Sequence, residues 1–76
     1  MNSEKEIWTI IKILKWTEEF FQQKNIPSAR LDAEILLAKV LGYERIQLYV
    51  RYEQPLTKAE LSQYREMVVK RAKGCP

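Results

Sequence analysis

The chain has no histidine. That removes the commonest general base and the commonest metal ligand together. A single cysteine, Cys75, excludes an internal disulfide and a cysteine-based zinc site. It also suits a reducing compartment. Glycine occurs only at Gly42 and Gly74. Two isolated glycines cannot form the Gly-rich loop that cradles a phosphate or a nucleoside cofactor. No carboxylates fall at metal-ligand spacing. No apolar run approaches the ~20 residues of a membrane span. The opening Met1-Asn2-Ser3-Glu4-Lys5-Glu6 is polar and acidic, unlike a signal peptide. The expectation is a cytoplasmic chain with no catalytic, cofactor-binding or metal-binding residues of its own.

What is present suits a small helical domain. Apolar residues make up 46% of the 76, and that length has room for one domain. The net charge of +3 arises wholly in residues 55–76, where five Lys/Arg face two Glu. Lys70, Arg71 and Lys73 close the last predicted helix, where cations complement the helix dipole. A basic patch for nucleic acid is the alternative use of these residues.

Ser3-Glu4-Lys5-Glu6 reads as a capping box, opening a first helix that runs to about Lys24. Ile7, Ile10, Ile11, Leu14 and Phe21 fall on one stripe of it, and Ile13, Trp16 and Phe20 on an adjoining one. So wide an apolar arc implies more than one packing neighbour. Pro27 and Ser28 then break the chain and cap a second helix, Ala29 to Leu41, stopped by Gly42. It is apolar nearly all round, which predicts a buried, central helix. Residues 45–52 alternate like a strand but have no partner segment, so a short helix is expected there. Thr57-Lys58-Ala59-Glu60 is a second capping box, and Leu56 and Leu61 can staple the helix entry. Leu61, Tyr64, Val68 and Ala72 form the inner face of the last helix, with Met67 at its flank and Gly74 as its stop. The fold class is all-α: a small bundle of four to five helices with helix two at its centre.

Trp8, Trp16 and Phe20 are candidates for binding a partner, because large aromatics anchor interfaces. Packing is the competing use of the two tryptophans. Trp8 projects from the otherwise polar arc of helix one and is the stronger interface candidate. Asp32 and Glu34 stand near the start of helix two, where acidic residues favour the dipole. Nothing acid–base surrounds Cys75 in sequence.

Residues 26–42, Ile-Pro-Ser-Ala-Arg-Leu-Asp-Ala-Glu-Ile-Leu-Leu-Ala-Lys-Val-Leu-Gly, resemble the N-terminal domain of the HemK family, also called PrmC. Members carry a helix reading Ser/Pro-x-Arg-x-Asp-Ala-Glu-x-Leu-Leu, followed by a Gly. Arg30, Asp32, Ala33, Glu34, Leu36 and Leu37 stand at those positions. Arg45-Ile46-Gln47-Leu48-Tyr49 is similar to the family's short third helix, and Pro55-Leu56-Thr57 to the opening of its next one. Residues 70–76 resemble Arg-Arg-x-x-Gly-x-Pro, with Lys70 departing from the first Arg.

The resemblance implies the N-terminal domain of an S-adenosylmethionine-dependent protein-glutamine methyltransferase. Such enzymes methylate the Gln of the Gly-Gly-Gln motif in class I peptide-chain release factors. Residues 1–76 would then be one substrate-docking helical domain, with the catalytic domain expected after residue 76. The chain alone is expected to be non-catalytic and to contain no cofactor. The implied partners are the release factor and the enzyme's own catalytic domain, with no membrane and no direct nucleic acid. Trp8, Trp16, Phe20 and Arg71 are the candidate partner-binding residues. Two other readings stand beside this one: a free-standing helical adaptor, and a small nucleic-acid-binding domain using the basic last helix.

Overall fold

Residues 7–73 are described by a computed structural model. They form α1 (Ile10–Gln23), α2 (Ala29–Leu41), α3 (Arg45–Val50) and α4 (Lys58–Ala72). Among the described residues there is no strand, only an isolated antiparallel bridge between Thr9 and Pro55. The capping box at residues 3–6, the Gly74 stop and Cys75 lie outside the described residues.

Helix α2 organises the bundle and packs against α1, α3 and α4. Its bounds are those the sequence predicts. Pro27 and Ser28 precede it, and Gly42 ends it with φ 73°, a left-handed conformation that a side chain resists. Its inward arc is Ala29, Ala33, Glu34, Leu37 and Ala38. The all-round burial expected of α2 is corrected, because Leu31 and Ile35 are more than two-fifths exposed. The Cα envelope is 34 × 30 × 18 Å. A slab that thin holds about two helix layers at the usual 8–10 Å spacing, so the outer side of α2 faces solvent.

Helix α1 also begins later than its sequence suggests. Residues 7–9 are not helical, and Thr9 is the N-cap, its hydroxyl accepting from the Lys12 N–H at 3.3 Å. The Ile10 and Ile11 N–H groups donate to the carbonyls of Gln54 (3.0 Å) and Tyr52 (2.8 Å). The start of a helix leaves its first N–H groups without internal partners. Here the α3–α4 connection supplies acceptors for two of them, and that fixes the start at Ile10. The same correction removes Ile7 from the core stripe, since it is 63% exposed. The observed stripe is Ile10, Ile13, Leu14, Thr17 and Phe21. At its end α1 closes in a Schellman turn. The Ile26 N–H reaches the Phe21 carbonyl at 3.1 Å and the Asn25 N–H reaches that of Gln22 at 3.0 Å, with Asn25 at φ 61° in the role usually taken by glycine.

Residues 45–50 are helical, as expected against their strand-like alternation. Ile46 and Val50 point to solvent and only Leu48 is buried. Gln47 fixes the turn, its side-chain oxygen accepting from the Glu44 N–H at 2.8 Å. Helix α4 opens on the predicted capping box. Thr57 Oγ1 accepts from the Glu60 N–H at 3.1 Å, and Glu60 Oε1 accepts from the Thr57 N–H at 3.0 Å.

A buried hydroxyl pair locks three helices together. Tyr64 Oη of α4 lies 3.1 Å from Thr17 Oγ1 of α1 and 3.1 Å from the Ala33 carbonyl of α2. Thr17 Oγ1 is also 2.7 Å from the Ile13 carbonyl. Two hydroxyl protons serve these three contacts, so one contact at any moment lacks a proton. Burial pushes the Tyr64 phenol up to about 12, against smaller lowering effects from the Thr17 bond and the Arg30 charge.

Candidate protein-docking surface

The core stripe of α1 dictates where its other aromatics go. Trp16 and Phe20, four residues apart, flank that stripe and are half-buried. Trp8 precedes the helix instead of projecting from it, which corrects the sequence reading. Its carbonyl accepts from the Leu56 N–H at 2.8 Å, and this bond holds the backbone at Trp8 against the α3–α4 connection.

The three rings form a continuous row. Trp8 and Trp16 meet edge to face, with centroids 6.4 Å apart and planes at 74°. Trp16 stacks on Phe20 at 5.5 Å and 6°. Phe20 in turn tilts against the fully buried Phe21 at 6.2 Å. The edge-to-face and stacked arrangements both suit the ring quadrupole, and all three rings pack against the buried core. The structure thus brings together three of the sequence-predicted binding residues, each partly in the core and partly open.

Cations border the row. The Arg65 guanidinium of α4 lies 5.2 Å from the Trp8 ring and 5.6 Å from the Trp16 ring. Lys12 sits 5.2 Å from Trp8, and Lys24 sits 5.7 Å from Phe20. Each distance lies within cation–π range. Beside Arg65 a shallow depression runs along α4 between Lys58, Leu61, Ser62, Glu66 and Val69. Sequence reasoning missed Arg65. Its position beside Trp8 depends on how α4 docks, and no periodicity within α4 reports that.

Arg71 lies apart from the row. Its Nε donates to Asp32 Oδ2 at 3.0 Å and its Nη2 forms an ion pair with the same oxygen at 2.8 Å, tying α4 to α2. Lys70 and Arg71 also occupy the last turn of α4, as the dipole argument expects. Glu34 corrects its sequence reading as helix-dipole charge, since it is 2% exposed. Its carboxylate accepts from Arg30 Nε (2.9 Å), from Arg45 Nε and Nη2 (3.2 and 3.0 Å), and from the Tyr49 hydroxyl. Arg30 also reaches Glu18 of α1 at 3.3 Å. Arg30, Asp32 and Glu34 thereby each link α2 to a different helix: α1, α4 and α3.

This arrangement is suited to binding. The buried acid and its cations are consumed by one another. Among the described residues no group of His, Cys, Asp or Glu is placed to hold a metal ion. Gly42 closes a helix, so it contributes to no cofactor loop. Among the described residues no helix is long and apolar enough to cross a membrane.

The chain is 50% identical over 68 residues to the release factor glutamine methyltransferase of Leptospira interrogans, covering 90% of this chain and 24% of that protein. Over 76 residues it is 43% identical to the enzyme of that name from Geobacter sulfurreducens, covering 100% and 27%. Over 73 residues it is 44% identical to the one from Chlorobaculum tepidum, covering 96% and 25%. The chain therefore spans about a quarter of the length of these curated relatives. No solved structure matches it. The family described as PrmC N-terminal domain matches residues 12–76, a stretch that takes in all of α2, α3 and α4 and most of α1. The chain belongs to that family of N-terminal domains.

Proposed function

We propose that the chain is the substrate-docking domain of a protein-glutamine methyltransferase, and that its partner is a class I peptide-chain release factor. The observation that carries this reading is the row Trp8–Trp16–Phe20, half-open and bordered by cations. Half-buried aromatics beside arginine are the usual anchors of a protein interface. The relatives' name supplies the partner.

In this proposal the methyl donor is S-adenosylmethionine, and the acceptor is the side-chain amide of the Gln in Gly-Gly-Gln. Both bind the catalytic domain, which belongs to the remaining three-quarters of a full-length enzyme in the cytoplasm. No chemical step is assigned to the residues of this chain. Their contribution is to hold a large substrate so that delivery of the target Gln becomes nearly intramolecular. Arg71 takes part indirectly, by bracing α4 against α2.

The test is a steady-state comparison of full-length enzyme with enzyme lacking residues 1–76. Deletion should raise KM for intact release factor by about tenfold or more. It should change turnover on a short Gly-Gly-Gln peptide much less, because a peptide does not reach the bundle. Equal losses on both substrates would mean that the domain only props up the catalytic fold.

A further inference from the structure

The row of aromatics carries a charge feature that narrows its occupant. Glu34, Asp32 and Glu18 take the guanidinium groups of Arg30, Arg45 and Arg71. Exposed Arg51 and Arg65 make no ion pair among the described residues; Arg51 lies over Tyr43, and Arg65 lies beside both indoles. A guanidinium carries a planar fork of N–H donors, which matches a carboxylate that accepts two parallel N–H bonds. Lys12 and Lys24 place positive charge at both ends of the same row.

We propose that the Trp8–Arg65–Trp16 cluster is a receptor for an acidic side chain, Asp or Glu, on the release-factor surface, with apolar neighbours of that residue seated along Trp16 and Phe20. The proposal rests on the docking reading above and adds the chemistry of the bound segment. Charge complementarity selects this occupant. A second copy of the chain, itself net positive, would bring like charge to the row. The indole rings attract the Arg65 guanidinium and so favour its place beside the row, where it can meet a carboxylate.

The test uses the full-length enzyme with intact release factor and with a short Gly-Gly-Gln peptide. R65E should raise KM for the release factor by about tenfold more than it raises KM for the peptide. R65M, which keeps the contact over the rings but not the charge, should move KM the same way by a smaller factor. Both variants should flatten the salt dependence of kcat/KM on the release factor. K39E, an equal charge change at an exposed position on α2, should have less than about a twofold effect. Release-factor variants with single surface Asp or Glu changed to Arg should include one that restores binding to R65E. Circular dichroism of each variant separates docking loss from unfolding.

If R65E and R65M bind release factor like the parent while deletion of residues 1–76 still raises KM, the acidic-receptor proposal is overturned and the docking reading survives. If deletion itself has no selective effect, the docking reading fails first. Inhibition of methylation by micromolar oligouridylate, relieved by R65E, would overturn the proposal in favour of a single-stranded nucleic acid on the same rings.

Discussion

Glu34 of α2 and Arg45 of α3 meet through two bonds to one carboxylate oxygen, from Nε at 3.2 Å and from Nη2 at 3.0 Å. Glu34 is buried, whereas the Arg45 side chain is 53% exposed. The acid is therefore the member that depends on the pair, and its other oxygen is held by Arg30 and Tyr49. Glu34→Gln keeps the shape but turns an amide donor towards these cations. It should lower the unfolding free energy by roughly 2–3 kcal/mol, because a buried network loses an acceptor. Arg45→Ala should cost about 1 kcal/mol or less, since solvent screens that partner. Urea unfolding of the two variants would show this order, and the reverse order would mean that Arg45 is the buried anchor.

Tyr64 gives the domain an alkaline limit. Its folded value of about 12 lies above the ordinary tyrosine value of 10.0. Between those values the unfolded chain releases the proton and the folded chain keeps it. Stability from this group is thus complete below pH 10 and is lost as pH rises towards 12. The loss is on the order of 2–3 kcal/mol over that window. Tyr64→Phe should cost about 1 kcal/mol at pH 7, where one hydroxyl leaves the Thr17–Ala33 contacts, and should remove this loss. The quantity to plot is the stability difference between parent and Tyr64→Phe against pH, in which contributions common to both cancel. A flat difference from pH 9 to 12 would show that the phenol ionises freely in the folded state.

The leucines of α2 separate inside from outside. Leu37 is fully buried, Leu36 is half-buried and Ile35 is 44% exposed. Leu37→Ala should cost roughly 2–4 kcal/mol through the cavity it leaves. Leu36→Ala should cost less, and Ile35→Ala about 0.5 kcal/mol. Thermal or urea melts that found the three substitutions equal would place α2 in a fully enclosed core, as its sequence alone suggests.

That contrast shows what the sequence makes legible. The bounds of α2 follow from local punctuation, with Pro27 and Ser28 before it and Gly42 after it. The start of α4 follows from the Thr57–Glu60 pair. The start of α1 does not, because the acceptors for its first N–H groups are Tyr52 and Gln54, more than forty residues away. The cap observed at Thr9 depends on the packed chain, so local sequence around it does not mark it. The same holds for Thr17 and Glu34. Each is a polar residue that belongs in the core because a distant partner, Tyr64 or Arg45, arrives to satisfy it. The aromatic row is visible in sequence as residue types in α1 and just before it. Its cation, Arg65, comes from another helix.

Trp8 tests whether the row acts as a unit. The ring is half-buried, lies outside α1, and contacts Trp16, Lys12 and Arg65. Trp8 packs against the edge of the core, and its edge-to-face partner Trp16 continues the row through Phe20 to Phe21. Trp8→Ala should therefore leave the bundle folded, at a cost of roughly 1–2 kcal/mol from lost ring contacts. Because it also frees the Arg65 side chain, the same change should raise KM of the full-length enzyme for intact release factor by about threefold to tenfold. Trp16→Ala should cost more stability, since it removes the link between Trp8 and Phe20. If the row binds as a unit, the double variant Trp8→Ala/Arg65→Met should raise KM by less than the product of the single effects, because residues sharing one contact are not additive. Full multiplication of the two effects would show instead that indole and guanidinium touch the partner at independent points, and Trp8 would then be an anchor in its own right rather than the support of Arg65.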